Sequence, residues 1–210
     1  IELLRAGVVF HARGLVNTRA IQFNLDWVWP YWVEQQFNPH SNSFIPRAFS
    51  FSHINLTHRN WTAVGLPDVS HYSIVDPRGL VTPLFDGWSL DFWLIGDGVG
   101  ILPSKATHAD QSLSLGGNLS VRTRVCSGAD AIESNVFMEL VKGRAYCVVR
   151  ISPTASTPAR LIVAARPYNP EGVSFIDSIA VAEDRRTLTL NGVDEVTFSR
   201  APVGVADDAA

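Results

Sequence analysis

Residues 71–102 read HYSIVDPRGLVTPLFDGWSLDFWLIGDGVGIL, and this stretch decides the fold class. It holds three turn signals: Asp76-Pro77-Arg78-Gly79, Asp86-Gly87 and Gly96-Asp97-Gly98. The first places Asp, Pro and Gly at the first, second and fourth positions, as a type I turn favours. Between the turns lie short alternating runs. Strand periodicity puts Trp88, Leu90, Phe92 and Leu94 on one face and Ser89, Asp91 and Trp93 on the other. The second face is therefore expected to point away from the core, with Asp91 and Trp93 outward.

The same grammar extends in both directions. Ile21, Phe23, Leu25, Trp27 and Trp29 alternate with Gln22, Asn24, Asp26 and Val28 and predict a strand that Pro30 ends. Residues 35–46 are polar and read as a loop, and 47–65 predict one or two strands. Downstream, Leu113 and Leu115 lead to a turn at Gly116-Gly117-Asn118, and Leu119, Val121 and Val125 share a strand face opposite Arg122 and Arg124. Residues 129–135 read as a short helical turn or loop. Val136–Val141 and Ala145–Ile151 predict a hairpin around Lys142-Gly143-Arg144. Arg160–Arg166 and Val173–Val181 predict further strands, and Asn191-Gly192 is the strongest hairpin signal in the chain. No helical period longer than about two turns is evident. Twelve or more strands with closely spaced turns predict an all-β fold, a large antiparallel β-sandwich. One domain over residues 1–203 is expected, with 204–210 a linker or cut end.

Composition narrows the function. The chain has 210 residues, 46% hydrophobic and 18% charged, with a formal charge of −3 and no basic run. Nucleic acid is not an expected partner. The apolar runs are too short for a membrane span, and no signal peptide is visible, so a cytoplasmic location is expected. The six histidines lack zinc-site spacing. No phosphate loop, dinucleotide fingerprint or nucleophile elbow occurs, so no metal or cofactor is expected. By parity Cys147 points inward and Cys126 outward, which argues against a disulfide.

Three groups could carry chemistry. Asp76, Asp86, Asp91 and Asp97 offer carboxylates, and a carboxylate pair is what glycoside hydrolysis requires. Turns also want Asp at three of these positions, which leaves Asp91 as the one in mid-strand. The six tryptophans could stack on sugar rings or fill the core. Parity assigns Trp27, Trp29 and Trp88 to the core and leaves Trp93 and Trp32 as ligand candidates. The third group, Arg166-Pro167-Tyr168-Asn169-Pro170-Glu171-Gly172, places Arg166, Tyr168, Asn169 and Glu171 together. It reads either as a binding loop or as a rigid connection.

Asn60-Trp61-Thr62, Asp76-Pro77-Arg78-Gly79-Leu80, Asp86-Gly87-Trp88-Ser89-Leu90-Asp91 and the 166–172 segment together resemble the N-terminal domain of bacterial six-hairpin glycoside hydrolases. This is the glucoamylase and glycogen-debranching group, and the resemblance covers roughly residues 5 to 200. It implies a galactose-mutarotase-like β-supersandwich. It also implies a non-catalytic role beside a C-terminal helical-barrel catalytic domain, where the family's general acid and base lie. The partner would be that domain or an oligo- or polysaccharide. Two other roles fit the same residues: a free-standing carbohydrate-binding module and a purely structural sandwich.

Overall fold

The computed structural model describes residues 2–23, 28, 30, 40, 61–170 and 172–206. They form one helix, α1 (Glu2–Phe23), and fifteen strands. The strands are β1 (Thr62–Gly65), β2 (Tyr72–Val75), β3 (Val81–Thr82), β4 (Ser89–Gly96), β5 (Val99–Ile101), β6 (Asp110–Ser114), β7 (Ser120–Ser127), β8 (Asp130–Val141), β9 (Arg144–Thr154), β10 (Ala159–Arg166), β11 (Tyr168–Asn169), β12 (Gly172–Val173), β13 (Ile179–Val181), β14 (Thr187–Leu190) and β15 (Asp194–Thr197). Every sheet pairing is antiparallel. The fold class is the all-β class that the alternating pattern predicts.

The chain divides into two compact units, residues 1–173 and 174–210. In the first, one sheet runs β1-β2-β3-β4-β10, with β5 also on β4. A second sheet is the meander β6-β7-β8-β9. The two meet where β1, β2 and β5 contact β7 and β8. Val64, Val75, Leu80, Val81, Leu94, Val121 and Val136 are buried between them or beside them. A small void lined by Phe92 from one sheet and Thr123, Val125, Ile132 and Ser134 from the other is about 10 Å³, the size of a single water. The second unit is the three-stranded sheet β13-β14-β15. Asn191 organises it: its Oδ1 accepts from the Asp177 amide at 2.7 Å, and its Nδ2 donates to the Phe175 carbonyl at 3.1 Å.

Turn chemistry explains most of the connections. Lys142 and Gly143 both have positive φ, 51° and 79°, the signature of a two-residue hairpin whose twist matches its strands. Asp76 closes its turn in three ways. The Gly79 amide bonds its carbonyl at 3.0 Å, and its Oδ1 accepts from Arg78 N at 2.7 Å and Leu80 N at 3.0 Å. Cys126 is exposed, Cys147 is half-buried, and both are free thiols, as their parities predict.

Three expectations are corrected. Ile21–Phe23 end a helix and do not begin a strand. Leu4 to Val8, Val8 to Leu15 and Val9 to Val16 are four- or seven-residue steps, which fit a helical period. Gly7, Gly14 and the paired valines weaken the signal by their low helix propensity. Residues 130–135 extend β8 and are not a loop or helical turn. Ile132, Ser134 and Val136 are buried while Glu133 and Asn135 between them are not, so the segment alternates as a strand should. The predicted strand Val173–Val181 is two short strands, β12 and β13, on either side of the unit boundary. The remainder of the strand predicted near Trp27 and the part of 47–65 before Trp61 lie outside the described residues.

Close approach of β4 to β10 is set at Gly96. A Cβ there would collide with the Pro158 carbonyl and stand 2.8 Å from the Ala159 Cα, both main-chain atoms that cannot rotate away. Gly96→Ala should therefore destabilise the fold by about 1–3 kcal/mol. Urea unfolding measures it; an unchanged midpoint would show that the two strands have room to part.

Candidate functional site

The sequence candidates converge on the second face of β4. β10 pairs along the whole of β4, with Arg166 opposite Ser89 and Ala164 opposite Asp91. Arg166 therefore enters the same neighbourhood as Asp91 and Trp93, and Tyr168 and Asn169 follow directly. Asp91, Trp93, Arg166, Tyr168 and Asn169 are brought together, while Trp32 and Glu171 lie outside the described residues.

At Ser89 and Asp91 this face is buried, and Trp93 further along it is half-buried. Asp91 is 1% exposed, which corrects the expectation that it faces outward. Alternation fails as a guide because β4 is an interior strand covered on both sides, so its polar residues are buried as well. Each then requires a partner. Ser89 Oγ and Thr82 Oγ1 lie 2.8 Å apart. Asp91 Oδ2 accepts from Ser104 Oγ at 2.8 Å, and Oδ1 accepts from the Phe92 amide at 3.0 Å. Ser104 sits in a single 3₁₀ turn, Pro103–Lys105, after β5. No local motif announces it, which is why sequence reasoning missed it.

Burial raises the Asp91 pKa above its ordinary value. The hydrogen bonds and the Arg166 charge oppose that shift without cancelling it. Trp93 Nε1 is near enough to favour the carboxylate, yet it is buried without a partner in hydrogen-bonding geometry among the described residues. The Arg166 guanidinium lies over the Trp93 ring at 5.5 Å and over the Tyr168 ring at 5.3 Å. Its Nε donates to Tyr168 Oη at 3.1 Å, and Tyr168 Oη donates to the Val28 carbonyl at 2.7 Å. Burial pushes the Tyr168 hydroxyl pKa well up, so it remains protonated and donating. Asn169, fully buried, donates to the Gly87 carbonyl at 2.6 Å and accepts from the Gly172 amide at 3.1 Å.

The arrangement is a buried polar cluster. Its carboxylate receives donors, its arginine is stacked, and its amide joins the 84–87 turn to the β11–β12 turn. Of the other aspartates, Asp76 is 1% exposed and binds its own turn, while Asp86 and Asp97 lie in exposed turns. Trp88 is 5% exposed in the core, as its parity predicts. Among the described residues, no group of three His, Cys, Asp or Glu side chains is arranged to hold a metal. No described helix is long and apolar enough to cross a membrane. No protein-family model, characterised protein or solved structure matches this chain.

The Asp91 environment predicts a signed pH effect. A raised folded-state pKa means that the folded chain holds this proton more tightly than the unfolded one. The associated stabilisation is full below the ordinary value of 3.8 and is lost as pH rises through the folded value. Asp91→Asn keeps an acceptor for Phe92 N and can donate to Ser104 Oγ, without the buried charge. Its Tm should exceed that of the parent at neutral pH, with the gap closing in acid. Asp91→Ala leaves Ser104 and Phe92 N unpaired and should cost about 1–3 kcal/mol per orphaned group. An Asn variant less stable than the parent at pH 7 would contradict this account.

Proposed function

We propose that this chain is a non-catalytic domain of a glycoside hydrolase, a galactose-mutarotase-like supersandwich that packs on a helical-barrel catalytic domain and lines its substrate cleft. The observation that carries the proposal is the apolar surface of α1 that stands exposed among the described residues. Leu3, Leu4, Val8, Val9, Leu15 and Val16 are all exposed, from 43% to 91%. So much apolar area on a single helix costs free energy in water and favours a covering surface. Packed helices of a barrel offer ridges and grooves suited to it.

Two further features support this reading. The segments that carry the family resemblance are physically joined: Asn169 binds Gly87, and Arg166 pairs with Ser89. The buried carboxylates Asp76 and Asp91 hold turns and strands, which suits a domain that leaves the chemistry to its neighbour. As a free-standing sugar-binding module the chain would use Trp93 and Trp32 as platforms, and Trp32 lies outside the described residues. Arg166 already lies over the Trp93 ring, and Asp91 beside it is buried, so the accessory role is favoured.

The reading frame downstream of the Ala210 codon should encode paired helices with acidic residues between them; a stop codon there sinks the proposal. With that downstream segment produced separately, sedimentation should show it binding this chain. The triple variant Leu4→Gln, Val8→Gln, Leu15→Gln should weaken that association by roughly tenfold or more. Undiminished association would place the contact elsewhere.

A further inference from the structure

The outer face of the β6-β7-β8-β9 sheet belongs to neither the buried cluster nor α1. Its rows follow from the register. Ser112, Arg122, Asn135 and Arg150 lie side by side across four strands, and Asp110, Arg124, Glu133 and Ser152 form the adjacent row. Glu133 is the central acid: its Oε2 accepts from Arg122 at 2.7 Å and from Arg124 at 3.4 Å. Two guanidinia thus share one carboxylate. The third, Arg150, is held over the Phe137 ring at 4.8 Å. A guanidinium supported on a ring loses less freedom when it takes a ligand. Toward the hairpin tip, Arg144 lies over Tyr146 at 5.8 Å, with Glu139 opposite that tyrosine. At the other margin Asp110 is paired with His108 at 3.1 Å. The middle of the face therefore carries three cations around one carboxylate, on a chain whose formal charge is −3.

We propose that this face binds a carboxylate-bearing polysaccharide. Guanidinia match carboxylates in shape and charge. Asn135, Ser112 and Ser152 stand among them with the amide and hydroxyl groups that sugar hydroxyls pair with. Protein interfaces deplete charge at their centre, whereas this face concentrates it there, so a protein partner fits less well. Nucleic acid fits less well too, because the chain has no extended basic run to follow a phosphate backbone. This face is distinct from the apolar surface of α1, and the role of either surface can fail without the other.

Affinity electrophoresis of the whole chain through polygalacturonate, with neutral dextran as control, tests it. The parent should be retarded by polygalacturonate alone, less so as salt rises. Arg122→Ala with Arg150→Ala should weaken binding by roughly tenfold, and Arg160→Ala, exposed on β10, should leave it unchanged. The discriminating variant is Glu133→Gln. If the face takes anions, removing its own carboxylate frees two guanidinia and tightens binding; if Glu133 merely ties strands together, affinity does not rise. Circular dichroism confirms that each variant is folded. No retardation at low salt, an unmoved Glu133→Gln, or equal binding of poly-glutamate or DNA would overturn the proposal.

Discussion

Burial of β4 on both faces is the constraint that shapes the first unit. One face supplies the core through Trp88, Leu90, Phe92 and Leu94. The other places Ser89 and Asp91 where water cannot reach them. A buried hydroxyl or carboxylate without a partner costs a substantial part of a domain's net stability, so neighbouring segments must supply partners. Thr82 answers Ser89, and Ser104 answers Asp91. The 3₁₀ turn after β5 and the extended pairing of β10 are thereby fixed to one another through a strand that touches both. The Tyr168–Asn169 segment completes the arrangement by closing onto the Gly87 turn.

The polar side chains that look most like catalytic equipment do this structural work. A carboxylate suited to accept a substrate proton is equally suited to accept backbone amides, and Asp76 accepts two. Asn169 and Asn191 play the same part with an amide, each joining two separated backbone segments. Once its lone pairs are taken by amides and hydroxyls, such a group is a poor base unless the fold opens.

The alternation from Trp88 to Leu94, the Asp76 turn and the Lys142-Gly143 and Asn191-Gly192 hairpins were legible because strands and tight turns leave local, short-period signals. The helix α1 was not, because glycine and β-branched residues blur its period and its described apolar side chains are largely exposed. The outward direction of Asp91 was misread for a different reason. Parity separates two faces but cannot say that both are covered; that depends on Ser104 and Tyr168, distant in sequence. The cluster around Asp91 was legible as a list of residues, and its buried, structural character was not. Arg122 and Arg124 were legible as one strand face, while Glu133 lies in a segment whose pattern fits a short helical turn or a loop as well as a strand.

The α1 surface and the arginine face differ in their physics. The α1 surface is apolar; covering it releases water, gains with area and responds little to salt. The arginine face is polar; its attraction is directional, weakens with salt and depends on how many of its own acids compete. A single partner seldom satisfies both. An apolar helix face suits a permanent neighbour that keeps water off it, whereas solvated guanidinia tolerate being empty. The division follows from the residues themselves. Leu4, Val8 and Leu15 stand exposed among the described residues, while Arg122 and Arg124 are already paired with Glu133.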